Sequence, residues 1–351
     1  MPESSRDFTP SRKSEHIRIT TQENVETGST GFEDVSLLHK AVPELNFEKV
    51  STETEFFGKK FSLPLMIAGM TGGAVETKEI NLGLAKAAEE AGIGMGVGSQ
   101  KAMIEHEELT ETYSVRSIAP TIFLCGNIGL PKLKIYSVQQ IEKMLLSIKA
   151  DALCVHLNPA QELFQKDSEI EPDWTGCFSA LKTICSELNY PVIAKEVGNG
   201  ISKETAVQLK EAGVKAIDVG GAGGTSWVVI DGMRSGKDTT DFKNWGIPTA
   251  ISILEARKAG LPIIATGGLR SGLDIAKALV LGADLAGIAL PFLKEFKRGG
   301  VPAVEAYIEK LERELRTAMF LSGCKSISEL KKLKPIITGK TKEWAEQRGL
   351  F

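Results

Sequence analysis

Two successive turns near the C-terminus have the residue types that could hold a phosphate. Thr266-Gly267-Gly268 follows the apolar run Leu261–Ala265 and is followed almost at once by Arg270. Glycine lets backbone N–H groups approach a ligand, because no Cβ stands in the way. A second apolar run, Leu285–Ala289, leads into Pro291, which suits the first turn of a helix. Turns like these after the last two strands of a (β/α)8 barrel bind phosphate, so the stretch predicts a phosphate-bearing ligand.

Stretches of polar and glycine residues also follow six earlier apolar runs. These polar stretches are Gly69–Gly73, Gly98–Gln100, Gly126–Gly129, His156–Glu162, Lys195–Gly198 and Asp218–Ser226. Any one of these stretches is equally well interpreted as a turn that only needs glycine. A lysine at the position of Lys195 would point into a barrel mouth, where a buried ammonium needs an anionic partner. Glu162 could bind Mg²⁺, which takes one or two carboxylates and completes its shell with phosphate oxygens, or could be an exposed acid at a helix start.

The elements that would position these residues form a repeat of one apolar strand and one amphipathic helix. The predicted strands are Pro64–Ala68, Ile93–Val97, Thr121–Cys125, Ala152–Leu157, Pro191–Ala194, Ala216–Val219, Leu261–Ala265 and Leu285–Ala289. The predicted helices are Ile80–Ala91, Val138–Lys149, Cys177–Leu188, Lys203–Ala212, Thr249–Ala259, Gly272–Leu281 with Ser271 as its cap, and Ala303–Phe320. This alternation predicts an α/β fold, a (β/α)8 TIM barrel with an N-terminal extension and C-terminal helices.

The first sixty residues differ from the repeat that follows them. Residues 1–14 are polar without periodicity and predict a flexible arm. Residues 17–60, with the run Thr52–Phe57, are expected to form a hairpin or short strands that close the bottom of the barrel. We therefore divide the chain into residues 1–60, the arm and closing segment, and residues 61–351, the barrel with its C-terminal helices.

Composition excludes some functions and suggests a compartment. The 351 residues carry a net charge of −3, which argues against a general nucleic-acid or membrane binder. We find neither a signal peptide nor an apolar span of membrane length. The five cysteines are odd in number and have no CxxC spacing, so we expect a reduced, cytoplasmic protein.

Six motifs in order resemble those of the type 2 isopentenyl diphosphate isomerases. They are Arg12-Lys13-x-Glu15-His16-Ile17, Met70-Thr71-Gly72-Gly73, Gly98-Ser99-Gln100, His156-Leu157-Asn158-Pro159-Ala160-Gln161-Glu162, Lys195-Glu196-Val197-Gly198-x-Gly200 and Gly223-Gly224-Thr225-Ser226-Trp227. The resemblance implies an FMN-dependent barrel that interconverts isopentenyl and dimethylallyl diphosphate with reduced FMN and Mg²⁺ and without net redox change. It further implies NADPH as the reductant and assembly as a homo-oligomer, a tetramer or an octamer.

The resemblance also implies a role for individual residues. FMN would contact Ala68, Gly69, Met70, Thr71, Ser99, Asn127, Lys195 and Thr225, with its phosphate on Gly268, Leu269, Arg270, Ala289 and Leu290. The substrate would contact Arg12, Lys13, Ser99, Gln100, Lys101, His156, Asn158 and Gln161. Gln161 and Lys195 would be catalytic, and Glu162 would hold Mg²⁺. Asp231 stands where the family more usually has glutamate, which shortens the reach of any carboxylate there.

Three other functions compete with this interpretation. A 2-hydroxy-acid oxidase needs a histidine base near the sixth and seventh strands, and no histidine follows His156. An enzyme similar to inosine monophosphate dehydrogenase needs a cysteine after the sixth strand, and none lies between Cys185 and Cys324. A non-catalytic flavin-binding protein stays open, although flavin binding alone requires neither the polar end of the fourth strand nor the Arg12-Lys13 pair.

Overall fold

A computed structural model describes residues 8–165 and 172–351, with the backbone alone for residues 8–12. Eight parallel strands close into a barrel, in which each strand pairs with the next along the chain and the last pairs with the first. They are β1 (Leu65–Ile67), β2 (Gly94–Gly96), β3 (Leu124–Gly129), β4 (Ala152–Leu157), β5 (Val192–Glu196), β6 (Ala216–Asp218), β7 (Ile263–Thr266) and β8 (Leu285–Ile288). The predicted (β/α)8 barrel is confirmed.

Helices follow the strands, as the repeat predicts. They are α1 (Phe8–Gln22), α2 (Val75–Ala91), α3 (Lys101–Glu105), α4 (Val138–Ile148), α5 (Pro159–Phe164), α6 (Cys177–Glu187), α7 (Lys203–Glu211), α8 (Trp227–Ser235), α9 (Thr249–Ala256), α10 (Gly272–Leu281), α11 (Leu290–Leu321), α12 (Ile327–Leu330) and α13 (Gly339–Gln347). Helix α11 is interrupted at Gly299 and Gly300, whose backbone angles are not helical. In the described part of the chain, no helix is both long and apolar enough to cross a membrane.

The prediction of the third strand as Thr121–Cys125 is wrong by several residues. Strand β3 runs to Gly129 and pairs with β4 along this length. Gly126 had indicated a turn, but it is a strand residue that packs against α4. A Cβ there would lie 2.4 Å from Cδ2 of Leu145. Close packing between the strand and its helix, rather than chain reversal, therefore requires this glycine.

The fifth strand is longer than the predicted Pro191–Ala194. Lys195 and Glu196 belong to β5, where they lie opposite His156 and Leu157 of β4. Charged residues had indicated the end of the strand, because such side chains are rarely buried. Both are nevertheless buried here, and each has partners described below.

Four helices, α1, α3, α5 and α8, occur where none was predicted. Ser226 caps α8 by accepting a hydrogen bond from the backbone N–H of Val229, inside a stretch whose glycines had indicated a long loop. Helix α5 follows β4 directly and carries part of the polar rim. Residues 8–14, expected to belong to a flexible arm, are the first residues of α1; residues 1–7 lie outside the described part. Helices α3 and α5 have only five and six residues and show little of the repeated apolar spacing on which the prediction depended. The apolar α8 was missed because glycines surround it.

An aromatic cluster closes the end of the barrel opposite the polar rim. The hairpin predicted around Thr52–Phe57 is confirmed, since Thr54–Phe56 pairs with Lys59–Phe61 in antiparallel register. Its Phe56 packs against Phe123 just before β3, with ring centroids 5.7 Å apart. These rings join inward-facing apolar residues of the barrel strands in one buried cluster. The hairpin therefore closes the bottom of the barrel.

This cluster predicts a stability effect that is separate from function. We expect Phe123→Ala to lower the free energy of unfolding by about 3–5 kcal/mol, because the ring is buried and leaves a cavity. Urea unfolding measures the change. Phe178→Ala on α6, whose side chain is 41% exposed, is the matched control and should cost less than about 1 kcal/mol. Equal losses in the two variants would contradict the assignment of Phe123 to the core.

Candidate functional site

A cavity of about 570 Å³ opens at the carboxyl ends of the barrel strands. Most of the predicted site residues line it, namely Lys13, Ala68, Gly69, Met70, Thr71, Ser99, Lys101, Asn127, His156, Asn158, Gln161, Glu162, Lys195, Thr225, Gly268, Arg270, Ala289 and Leu290. Closure of the barrel brings these residues together from distant parts of the sequence. The side chain of Arg12, which was predicted to bind substrate, lies outside the described residues.

Two predicted site residues do not line the cavity. Gln100 is completely buried, and its Oε1 accepts a hydrogen bond of 2.8 Å from the backbone N–H of Asn127. It therefore supports a cavity residue from behind, and we no longer expect it to touch the substrate. Leu269 is 1% exposed and packs into the core. In both cases the neighbours in sequence face the cavity, and the sequence could not show which residue of the turn points inward.

The turn after β7 packs backbone against backbone, as a phosphate-binding turn must. Gly268 has φ +75°, and a Cβ there would lie 2.2 Å from the carbonyl oxygen of Gly223. Ser271 caps α10 by accepting from the N–H of Asp274, as predicted. The guanidinium of Arg270 forms an ion pair with Glu26. A cation and a glycine turn thus line the same part of the cavity, which suits an anionic ligand.

Lys195 is held by a partner that the sequence did not reveal. It lies directly opposite Asp218 in the register of β5 and β6, and its Nζ is 3.0 Å from Oδ2 of Asp218. Both side chains are buried. The ammonium thus has a buried anionic partner within the protein, whereas the sequence suggested that a ligand would supply one. In the sequence, this ion pair was indicated only by a lysine and an aspartate at the ends of two consecutive predicted strands.

Glu196, the next residue, organises the loop after β5. One of its oxygens accepts hydrogen bonds from the backbone N–H groups of Val197 and Gly198, at 2.6 and 2.7 Å, and from that of Asn199. Burial raises the pKa of Glu196 to about 7, against the opposing effects of these donors and of Lys195. The carboxyl group fixes a loop of which Val197 and Gly198 line the cavity.

His156 lies in the cavity as a neutral hydrogen-bonding group. Its Nδ1 is 2.8 Å from Oδ1 of Asn127, whose Nδ2 donates to the backbone carbonyl of Val97. This second bond orients the amide so that its oxygen accepts from the imidazole. Burial lowers the pKa of His156 to about 3, and the positive charges of Lys13 and Lys195 act in the same direction. The side chain can donate a hydrogen bond at neutral pH but carries no charge there.

A chain of hydrogen bonds joins α5, α8 and α1 beside the cavity. Oδ2 of Asp231 accepts from Nε2 of Gln161 at 2.8 Å, and Oε1 of Gln161 accepts from Nδ2 of Asn158 at 3.1 Å. The other oxygen of Asp231 lies 3.0 Å from Nε2 of His16. Asp231 is completely buried. The aspartate therefore reaches Gln161 in spite of its short side chain.

Glu162 is the acidic side chain of the cavity that was predicted to bind a metal. Nε1 of Trp174 donates to its Oε2 at 3.1 Å. Burial raises the pKa of Glu162, while this hydrogen bond and the charge of Lys132 oppose the rise. No group of three or more histidine, cysteine, aspartate or glutamate side chains is arranged to hold a metal among the residues described. A metal here would need most of its ligands from a substrate and water.

Several cavity residues have polar atoms that a ligand could satisfy. Oγ1 of Thr71, Oδ1 of Asn158 and Oγ1 of Thr266 are buried and have no hydrogen-bond partner within the described protein. A buried polar atom without a partner costs free energy. All three residues line the cavity, so a polar ligand that fills it would remove this cost. The cavity therefore fits a large polar ligand with at least one anionic group.

Comparisons with known proteins agree with this geometry. The profile of the FMN-dependent dehydrogenase family matches residues 9–125 and 131–334. An isopentenyl-diphosphate delta-isomerase of Archaeoglobus fulgidus is 49% identical over 350 residues, which cover 97% of this chain and 99% of that protein. An isomerase of the same name from Methanosarcina barkeri is 46% identical over 352 residues, covering 97% and 95%.

Solved structures add support for the fold alone. A mandelate oxidase variant with a monooxide FMN adduct superposes with a TM-score of 0.62 at 18% identity, over 93% of both chains. Identity this low carries no information about the reaction. The family of this chain is shown instead by the match to the family profile and by the identity to full-length relatives. The chain belongs to the FMN-dependent dehydrogenase family and, within it, to the isopentenyl-diphosphate delta-isomerases.

Proposed function

We propose that this protein interconverts isopentenyl diphosphate and dimethylallyl diphosphate by adding one proton to the substrate and removing another, with bound FMN and Mg²⁺. The names of relatives that are 44–49% identical over nearly the whole chain support the reaction. One structural observation carries the proposal. A single cavity joins the glycine turn after β7 and the Ala289-Leu290 turn after β8 to a wall formed by Lys13, His156, Asn158, Gln161 and Glu162.

The cofactor half of the cavity fits FMN. Gly268, Arg270, Ala289 and Leu290 would hold its phosphate, and the buried unpaired hydroxyl of Thr71 would be satisfied by its ring system. When bound in reduced form, FMN would supply an electron-rich surface against which positive charge at the substrate double bond is stabilised. Two expectations from the resemblance belong to the proposal, namely NADPH as the reductant and a homo-oligomer of four or eight chains.

The substrate half of the cavity provides cations and neutral donors for a diphosphate. Lys13 acts electrostatically on His156 inside the cavity, which lowers the pKa of the histidine. Lys101 and Ser99 approach from the turn after β2. The neutral imidazole of His156 gives its Nδ1–H to Asn127 and keeps only an acceptor at Nε2. The amide of Asn158 can donate a hydrogen bond to a phosphate oxygen without changing the net charge. Charge-assisted bonds of this kind are the strong ones in anion recognition.

Glu162 suits a single protein ligand for Mg²⁺. The ion usually keeps several waters and binds through one or two carboxylates together with substrate phosphates. The absence of any larger ligand cluster among the described residues agrees with that mode. Glu162 would therefore bind the ion only together with the diphosphate and orient it within the cavity.

Gln161 and Asp231 are the groups best placed to move a proton. An amide is a poor base by itself. The buried carboxylate of Asp231 lies behind it at hydrogen-bond distance and could hold the proton that leaves the substrate carbon. Lys195 keeps a fixed position through Asp218 and would place positive charge beside the cofactor. Surrounding apolar groups exclude water, which would otherwise compete for a developing cation.

Turnover tests the proposed function directly. Under anaerobic conditions with FMN, a reductant and Mg²⁺, the purified protein is expected to convert isopentenyl diphosphate to dimethylallyl diphosphate, as followed by chromatography. Lactate and mandelate serve as controls and should remain unoxidised, since no histidine follows His156. A fully reduced, FMN-loaded protein that leaves isopentenyl diphosphate unchanged in the presence of Mg²⁺ would refute the proposal.

Lys13→Gln tests the diphosphate contact. Losing one charge-assisted contact of about 1.5–3 kcal/mol should raise KM for isopentenyl diphosphate by about tenfold or more, with a smaller change in kcat. Steady-state kinetics measure both values. Lys60→Gln, in the hairpin at the opposite end of the barrel, is the matched control and should change neither. An unchanged KM in Lys13→Gln would show that Lys13 does not bind the diphosphate.

Glu162→Gln tests the metal site. We expect the Mg²⁺ concentration for half-maximal activity to rise by about tenfold or more, because a neutral amide is a far weaker ligand than a carboxylate. The indole of Trp174 can still donate to the remaining side-chain oxygen, so folding should be preserved. Asp173→Asn removes another carboxylate at the cavity, which pairs with Lys134, and should leave the Mg²⁺ dependence unchanged. A larger rise in the required Mg²⁺ concentration for Asp173→Asn than for Glu162→Gln would show that Glu162 is not the metal ligand.

A further inference from the structure

We infer that His16 of α1 is a positioning residue, which fixes the carboxylate of Asp231 so that its second oxygen faces Gln161. The inference deepens the proposed function and rests on it for its kinetic consequences. The contact between His16 and Asp231 itself does not depend on which reaction the protein catalyses. His16 follows Arg12 and Lys13 in the sequence but is not among the residues for which a role in binding or catalysis is predicted.

The geometry of Asp231 calls for a donor on each oxygen. Its side chain is completely buried, and Oδ2 already accepts from Gln161. Burying an ionised carboxylate is costly unless both oxygens are hydrogen-bonded. Nε2 of His16 lies 3.0 Å from Oδ1. Because an ionised carboxylate can only accept, Nε2–H of the imidazole donates this bond.

A neighbouring cation does not replace His16. Arg234 lies one helical turn from Asp231, and its Nη1 is 3.8 Å from Oδ1, beyond hydrogen-bond distance. Its Nε donates instead to Oε2 of Glu15 at 2.7 Å. The guanidinium thus adds favourable charge near the carboxylate but is oriented towards the adjacent residue of α1. The short contact to Oδ1 comes from the imidazole.

The ring of His16 is itself held in place. It meets the indole of Trp227 edge to face, with centroids 5.2 Å apart and an interplanar angle of 76°. On the same helix, Ile19 belongs to a buried cluster with Ile230 and Leu290. Helix α1 is thereby packed on α8 and on the start of α11. These contacts leave His16 little freedom to turn away from Asp231.

The same helix also brings a substrate contact to the cavity. Lys13 precedes His16 by three residues, a spacing that puts both side chains on one face of α1, and both line the cavity. Binding a diphosphate through Lys13 would therefore stabilise the position of α1 in which His16 orients Asp231. In this arrangement one helix links recognition of the diphosphate to the group that handles the proton.

Kinetics distinguish positioning from simple docking of the helix. His16→Leu should lower kcat by about 10–100-fold and change KM by less than about threefold, because the loss falls on the chemical step. His16→Gln, whose amide can donate from nearly the same place, should restore most of kcat. Glu15→Ala is the matched control, since it removes a polar link between α1 and Arg234 of α8 without removing a partner of Asp231. It should leave kcat nearly unchanged.

Two outcomes would overturn the inference. Equal losses of kcat in His16→Leu and His16→Gln would mean that a donor at this place is not what matters. Losses that multiply in the double variant His16→Leu with Asp231→Asn would mean that the two residues act independently. The expected result is a double variant no slower than Asp231→Asn alone.

A second measurement requires neither turnover nor cofactor. The chain has four histidines, so histidine labelled with ¹⁵N gives a readily assigned NMR spectrum of the cofactor-free protein. We expect slowly exchanging ring N–H signals from His16 and from His156, the latter through its bond to Asn127. Asp231→Asn should shift or remove the first signal alone. A His16 ring that exchanges freely in the unsubstituted protein would refute the inference, whereas an absence of isomerase activity would refute only the proposed function.

Discussion

Buried charges at the rim of the barrel must be paired, and the arrangement of the site follows from that constraint. Parallel register places Lys195 beside Asp218 on neighbouring strands, at 3.0 Å. An isolated ion in such surroundings would cost several kcal/mol, whereas a paired and hydrogen-bonded one can be kept. The carboxyl groups of Glu196 and Asp231 are satisfied in other ways, by backbone N–H groups and by side chains. Each pairing fixes a side chain or a loop that borders the cavity.

The cavity has two neighbouring parts that differ in the residues lining them. The glycine turn after β7, the Ala289-Leu290 turn after β8 and the Lys195–Asp218 pair border the part that fits a phosphate-bearing cofactor. Lysines, neutral polar side chains and the carboxylate of Glu162 border the other part, to which α1, α3, β4 and α5 contribute. Many barrels have the first set, so the glycine turns by themselves indicate a ligand and leave the reaction open. The second set gives this chain its proposed chemistry.

The sequence predicted elements well where their local signals agreed with their packing. Strand β4 and helix α10 have the predicted bounds, because one is apolar except for His156 and the other has a serine cap and a following glycine. The remaining strands apart from β3 begin and end within two residues of their predicted positions. Strand β3 was misplaced because Gly126 serves close packing, and β5 was shortened because Lys195 is buried. In both strands the bounds depend on tertiary contacts, which cannot be inferred from the local propensity of the residues.

Much of the cavity could likewise be predicted from residues that follow strands, since closure of a barrel brings strand ends together. The sequence could not show which side chains pair with one another at the site. Asp218 and His16 become significant only through register and helix docking, and Gln100 points away from the cavity into the protein interior. A position in a motif shows that a residue is near the site; its orientation depends on packing. This is why Asp231, though shorter than glutamate, still reaches Gln161.

If this cavity exchanges protons with the substrate as proposed, solvent isotope labelling will record each proton that is delivered. In D₂O, with reduced FMN and Mg²⁺, the account predicts dimethylallyl diphosphate that carries deuterium in the methyl group newly formed from the methylene carbon. Mass spectrometry and NMR of the product locate the label. Product formed at a normal rate without deuterium in that methyl group would indicate direct transfer within the substrate and would contradict the account.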